Sequence, residues 1–92
     1  MKTNQSNTTM KVKVSKTMFR EVMRDCKWQM KLHKHEPFCA LYMGAKFNYF
    51  YALAKLNDEV EKRFDILKDM YNDFHRQANI EGWQPVTLAT FE

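Results

Sequence analysis

The clearest chemistry in this sequence is a line of positive charge along one predicted helix. Basic residues recur at intervals of three and four. At about 100° of rotation per residue, they therefore lie within a sector of roughly 80° of the helix circumference. The six residues of this basic ridge are Lys16, Arg20, Arg24, Lys27, Lys31 and Lys34. The nearby acidic residues, Glu21 and Asp25, lie outside this sector. An unbroken row of cations favours a polyanionic partner, although a solvated helix face gives the same pattern.

A second group of residues has side chains of the kinds that bind metal ions. They fall within fourteen positions and comprise Cys26, His33, His35, Glu36 and Cys39. Their spacing lacks the tight cysteine or histidine pairs of the usual zinc sites. Packing accounts for Cys26 and His33, which we expect on the apolar side of the helix. The sequence therefore predicts no metal site and no cofactor.

Signs of catalysis are missing as well. The only glycines are Gly44 and Gly82, too few for a glycine-rich phosphate loop. No serine or cysteine stands in a nucleophile motif. We expect a protein that is not an enzyme.

Aromatic residues are concentrated in the segment Lys46–Tyr51. Over these six residues the chain resembles the third-strand motif of RNA-recognition motif domains, in which alternate rings stack on bases. The segment lacks that motif's glycines, and the first predicted strand offers Lys11 and Lys13 in place of an aromatic partner, so the resemblance assigns no family. Core packing or a dimer interface is the other use of these rings. Trp28, beside the basic ridge, and Tyr49 are the aromatic candidates for contact with a partner.

Charge is unevenly distributed over the 92 residues, which have a net charge of +4 and a pI of about 9.1. Residues 1–36 contain nine Lys/Arg and three Asp/Glu, a net charge of +6, whereas residues 37–92 carry −2. The hydrophobic content of 45% is enough to fold one domain. We expect a flexible lead-in over residues 1–9 and a single compact domain over 10–92.

Nothing in the sequence indicates export or insertion into a membrane. Residues 1–10 are polar and lack the apolar stretch of a signal peptide. Two isolated cysteines do not make a disulfide framework. We expect a cytoplasmic protein with reduced cysteines and no membrane contact.

The hydrophobic pattern predicts the elements that carry these residues. Met10, Val12 and Val14 alternate with Lys11 and Lys13, which predicts a strand over 10–15 and a helix over 16–34. The segments 38–43 and 46–53 suit a β-hairpin turning at Gly44. A single helix over 45–78 fits the same residues.

The remaining pattern predicts a second helix over 58–78 and a last strand over 85–91. Asn57 or Asp58 is the expected N-cap of this helix. Its acidic ladder, on the side opposite the apolar stripe, comprises Glu61, Asp65, Asp69 and Asp73. Pro85 lacks the N–H that a central strand needs, so the last strand should lie at a sheet edge.

The predicted order is β-α-β-β-α-β, which is typical of a ferredoxin-like α+β sandwich with two helices on one face of a four-stranded antiparallel sheet. The alternative is a mostly α protein with the long helix 45–78. The predicted core comprises Val12, Val14, Phe19, Val22, Cys26, Val60, Phe64, Leu67, Tyr71 and Phe74.

Two functions fit these features. The first is a non-catalytic module that binds nucleic acid, either RNA or single-stranded DNA, through the basic ridge, with Lys11, Lys13, Trp28 and Tyr49 as further contacts. The second is a small inhibitor or adaptor, of the type found in phages and mobile elements, that binds an acidic surface of a host or defence protein or a protein–RNA complex. A homodimer in which the ridge meets the acidic ladder is a third use of the same charges.

Overall fold

The structure, a computed structural model, describes the backbone of residues 6–89 and 91, and the side chains of residues 16–89 and 91. Three helices follow one another: α1 (Ser6–Leu32), α2 (Ala40–Leu56) and α3 (Phe64–Glu81). In this part of the chain α1 and α3 each pack on α2 and not on each other. The described residues contain no strand, so the prediction of a ferredoxin-like α+β sandwich is wrong.

The predicted first strand, residues 10–15, lies inside α1. Its alternating pattern is short, and lengthening an existing helix needs no new nucleus, so helix propagation outweighs a weak preference for strand. Of the predicted lead-in 1–9, residues 1–5 lie outside the described residues, and α1 begins at Ser6. The helix ends at Leu32, earlier than the predicted 34.

Both strands of the predicted hairpin, 38–43 and 46–53, are also wrong, because Ala40–Leu56 forms α2. This helix lies between α1 and α3 and is apolar on most of its circumference, which removes the one-sided stripe by which a helix is recognised. Its buried residues are Ala40, Gly44, Ala45, Phe47, Ala52 and Ala54. The resemblance of Lys46–Tyr51 to a strand motif therefore has no structural basis.

The segment 57–63 separates α2 from α3. Asn57 is the C-cap of α2, not the N-cap of the next helix, and Asp58 has a left-handed backbone with φ of 57°. The helix predicted over 58–78 therefore starts at Phe64 and runs to Glu81. The alternative of a mostly α protein agrees with the described residues, but its single long helix over 45–78 is interrupted by the same turn.

The chain after α3 is irregular, which corrects the predicted strand 85–91 and its edge position at Pro85. Asn48 of α2 holds this segment with its side-chain amide. Its Nδ2 donates to the carbonyl oxygen of Val86 at 3.3 Å, and its Oδ1 accepts from the backbone N–H of Leu88 at 3.0 Å. Phe91 is buried at 5% exposure, so the C-terminal segment completes the core.

Aromatic rings from three helices and the C-terminal segment build this core. Phe47 of α2 is fully buried, with ring centroids 5.6 Å from Tyr71, 5.7 Å from Phe91 and 6.1 Å from Tyr51. Tyr51 in turn meets Phe19 of α1 at 6.4 Å. Edge-to-face and stacked rings at these separations add to the free energy gained from apolar burial.

The predicted core is partly confirmed. The residues found buried are Phe19, Cys26, Leu67, Tyr71 and Phe74. Val22 and Val60 are half-buried, and Phe64 is wrong because it is 41% exposed at the start of α3. The side chains of Val12 and Val14 lie outside the described part.

Candidate functional site

The basic ridge lies on the surface of α1. Phe19 and Cys26 are buried toward α2, and they fix the rotation of the helix about its axis. All six ridge residues are exposed, namely Lys16, Arg20, Arg24, Lys27, Lys31 and Lys34. Lys34 lies in the turn after α1, so five cations are carried by the helix itself.

The positive charge of the ridge is largely uncompensated. Among the described residues its one ion pair joins Arg24 Nε to the neighbouring Asp25 Oδ1 at 3.9 Å, with both side chains more than three-quarters exposed. Such a pair contributes little, because water and salt screen it. The ridge therefore keeps its attraction for an external anion.

The acidic ladder does not neutralise the ridge within the described part of the chain, and only Asp65, Asp69 and Asp73 of it lie on α3, because Glu61 belongs to the turn before that helix. α2 separates α1 from α3, and no described ion pair joins the two outer helices. Asp73, the last member of the ladder, pairs instead with Arg76 of its own helix at 2.7 Å. Ridge and ladder are thus separate surfaces.

Trp28 lies beside the ridge and is 58% exposed. It lines a shallow depression of about 600 Å³ together with Arg24, Lys27, Met30 and Lys31. Packing among the described residues does not account for the exposure of so large an apolar ring. Three cations around one exposed indole can hold an anionic group and a flat apolar group side by side.

The structure does not join the other predicted contacts to this depression. Tyr49 lies on α2, half-buried, with its ring edge-to-face on Phe50 at 5.1 Å, and it is not among the residues that line the depression. Lys11 and Lys13 belong to α1, and their side chains lie outside the described part. The sheet face that was expected to carry these lysines beside alternate aromatics does not exist in residues 6–89.

The turn between α1 and α2 brings together three of the five candidate metal ligands. The ligand atoms of His33, Glu36 and Cys39 all lie within 4.8 Å of one another. Cys26 and His35 are not part of the cluster. In the sequence, these three residues are marked only by their regular spacing of three, which matches the i→i+3 hydrogen bond of a β-turn and not a zinc motif.

Cys26 has a structural role. It is 8% exposed, and burial, followed by the nearby charge of Asp25, raises its pKa to about 11 from 9.0. The side chain therefore stays a neutral thiol near neutral pH and packs as a small apolar group.

No helix in the described residues has a stretch long and apolar enough to cross a membrane. Comparisons with family models, with curated proteins and with solved structures gave no match to this chain. Its function is therefore inferred from the ridge and the depression around Trp28.

Proposed function

We propose that this protein is a non-catalytic binding module that docks the basic ridge of α1 on nucleic acid, either RNA or single-stranded DNA. The observation that supports this most directly is the row of exposed cations that neither α2 nor α3 covers. Neutralising phosphates releases condensed counterions, so such a row yields affinity without base-specific contacts.

The dimensions of the ridge suit a strand lying along the helix. Lys16 and Lys31 are fifteen residues apart, and at 1.5 Å per residue the cations extend over about 22 Å. Roughly one positive charge occurs per helical turn of 5.4 Å. A flexible single strand can adjust its phosphates to such a line.

Trp28 gives the proposal a second contact of different chemistry. Its exposed indole lies among Arg24, Lys27 and Lys31. A base stacked on this ring would leave its own phosphate within reach of those side chains. Stacking is sequence-tolerant because every base has a flat face, so weak sequence preference is expected.

Binding of fluorescently labelled RNA and single-stranded DNA, measured by anisotropy over a series of salt concentrations, tests the proposal. Arg24→Glu with Lys27→Glu should abolish binding. The control, Lys46→Glu with Lys62→Glu, makes the same change in net charge at exposed positions outside α1 and should weaken binding far less. For a single strand the log–log salt slope should be about 0.7 per phosphate contacted. Equal loss in both variants, or no binding at low salt, would contradict the proposal.

Reversing the ladder provides an opposite control. Asp65→Lys with Asp69→Lys adds positive charge on α3, away from the ridge. Nucleic-acid binding should stay unchanged or strengthen slightly through long-range attraction. A loss of binding would instead mean that α3 contacts the nucleic acid.

A second candidate is an inhibitor or adaptor that occupies an acidic surface of another protein. Large apolar side chains around the turn between α1 and α2 favour it: Leu32 is 55%, Phe38 80% and Leu41 49% exposed. Apolar anchors beside cations are typical of protein interfaces. A pull-down with and without nuclease separates the two candidates, because a partner that survives nuclease and is lost with the ridge variant is a protein.

A third proposal is a homodimer, in which the basic ridge of one chain binds the acidic ladder of another. Its mass in solution should then depend on concentration and salt, which light scattering measures. The proposal sets the protein in the cytoplasm, a reducing compartment compatible with its free Cys26 and Cys39.

A further inference from the structure

We propose that His33, Glu36 and Cys39, in the turn between α1 and α2, form a three-ligand site for Zn²⁺. The site is separate from the basic ridge and from its proposed function. Its ligands are an imidazole nitrogen, a carboxylate oxygen and a thiolate sulfur, the three donor types that protein zinc sites use.

The backbone of the turn aligns these side chains. The N–H of Glu36 donates to the carbonyl oxygen of His33 at 2.8 Å, and the N–H of Cys39 donates to that of Glu36 at 3.0 Å. These two bonds close two β-turns that share Glu36, so His33, Glu36 and Cys39 stand at the corners of the turns. The spacing His33, Glu36, Cys39 therefore directs three ligands to one point.

The distances are close to those of a metal centre. Nδ1 of His33 and Oε1 of Glu36 are 4.0 Å apart, and the ligand atoms of all three residues lie within 4.8 Å of one another. Ligands at about 2.0–2.3 Å from a tetrahedral zinc are separated by roughly 3.3–3.7 Å. Movements of the ligand atoms by about 1 Å, through changes of side-chain torsion angles, would close the difference.

Partial burial also suits a site that stays accessible. His33 and Cys39 are half-buried, whereas Glu36 is exposed. Three protein ligands leave the fourth position of a tetrahedral ion to water. Of the chain's two cysteines, Cys26 is buried on α1 outside the cluster, so Cys39 is the thiolate ligand.

Cobalt(II) serves as the spectroscopic probe, with untagged protein kept reduced by a phosphine. One equivalent should give a thiolate-to-cobalt charge-transfer band and the intense visible bands of tetrahedral geometry, and Zn²⁺ should displace them. Cys39→Ser should abolish the charge-transfer band. Serine suits this position, since Cys39 is the N-cap of α2, so the fold should be retained.

Matched variants test whether zinc is bound by the three residues of the cluster or by neighbouring candidate ligands. His33→Ala and Glu36→Gln should each weaken zinc affinity more than about 100-fold, beyond the roughly 10–100-fold that loss of an outer-sphere contact costs. His35→Ala and Cys26→Ala, which alter candidate ligands outside the cluster, should leave affinity and the charge-transfer band unchanged. Circular dichroism of each variant verifies its fold. The proposal is overturned if the band is absent, if it survives Cys39→Ser, or if His35→Ala weakens binding as much as His33→Ala.

Discussion

The ring of Phe74 in α3 lies directly against the backbone of Gly44 in α2. A Cβ placed on Gly44 would lie 2.6 Å from both Cε1 and Cζ of that ring, closer than carbon atoms can approach without a shift. Phe74 is 2% exposed, so its ring cannot simply swing into water. The lack of a side chain at Gly44 thus sets how closely the second and third helices approach.

Gly44→Ala should therefore destabilise the protein, although alanine is the better helix former. Overpacking costs about 1–3 kcal/mol, and the gain in helix propensity offsets at most about 1 kcal/mol. We expect a net loss of about 1–2 kcal/mol in the free energy of unfolding by urea. Adding Phe74→Leu, which shortens the facing side chain, should make Gly44→Ala less costly than it is alone. Independent, additive effects of the two changes would show that the contact is not formed.

The two phenylalanines of α3 should differ sharply in what they contribute to stability. Phe74→Ala removes a buried ring and should cost about 3–5 kcal/mol. Phe64 is 41% exposed and meets Phe91 at 5.4 Å, so Phe64→Ala should cost only about 1 kcal/mol. Thermal unfolding of the two variants measures the difference, and equal losses would place Phe64 in the core.

Glu81, at the end of α3, should make the stability of the fold depend on pH in the acidic range. Its carboxylate accepts hydrogen bonds from the side chain of Gln77, the backbone N–H of Ala40 and the indole of Trp83, at 2.9, 2.9 and 3.0 Å. These bonds, that from Gln77 first, lower the pKa of Glu81 below its usual 4.5. Ala40 begins α2, whose N-cap Cys39 makes no side-chain capping bond, so Glu81 supplies a cap from another helix.

The sign of the dependence follows from that lowered pKa. Because the pKa of Glu81 is lower in the folded protein than the usual 4.5, the ionised carboxylate stabilises the fold fully above pH 4.5. This stabilisation is lost as the pH falls through the lower pKa of the folded state. Glu81→Gln should therefore destabilise the protein at neutral pH and reduce the loss of stability on acidification. Urea unfolding at neutral pH and below 4.5 measures both effects. Glu61→Gln, at an exposed position in the preceding turn, is the control and should leave the profile nearly unchanged.

Trp28 should report nucleic-acid binding directly. The chain has two tryptophans, and Trp83→Phe leaves Trp28 as the only one, whose emission is selected by exciting beyond the absorption of tyrosine. Stacking of a base should quench its fluorescence, and Trp28→Ala should weaken binding by about 1–3 kcal/mol. Quenching should follow the anisotropy change of a labelled strand. Tight binding with unchanged emission would mean that the strand follows the ridge without touching the indole.

The sequence alone determined the features that depend on position around a single helix. The helical part of the basic ridge (Lys16–Lys31), the ladder residues of α3 (Asp65, Asp69 and Asp73) and the buried residues Phe19, Leu67 and Phe74 follow from a period of 3.6, which holds wherever the helix packs. The end of α3 also has a local cause, because the C-cap Gly82 has a left-handed backbone, φ of 87°, which favours glycine, although the predicted end at 78 is three residues early.

Tertiary structure decided the type of the middle element and the positions of the surfaces, because both depend on what packs on each side of an element. Ala40–Leu56 is a helix covered by α1 and α3, and a helix apolar on most sides shows no periodic stripe to distinguish it from buried strands. Only the packing of both outer helices on α2 separates the basic ridge from the acidic ladder. Likewise, only the fold of the turn gathers His33, Glu36 and Cys39, since convergence of side chains is set by backbone hydrogen bonds that composition does not specify.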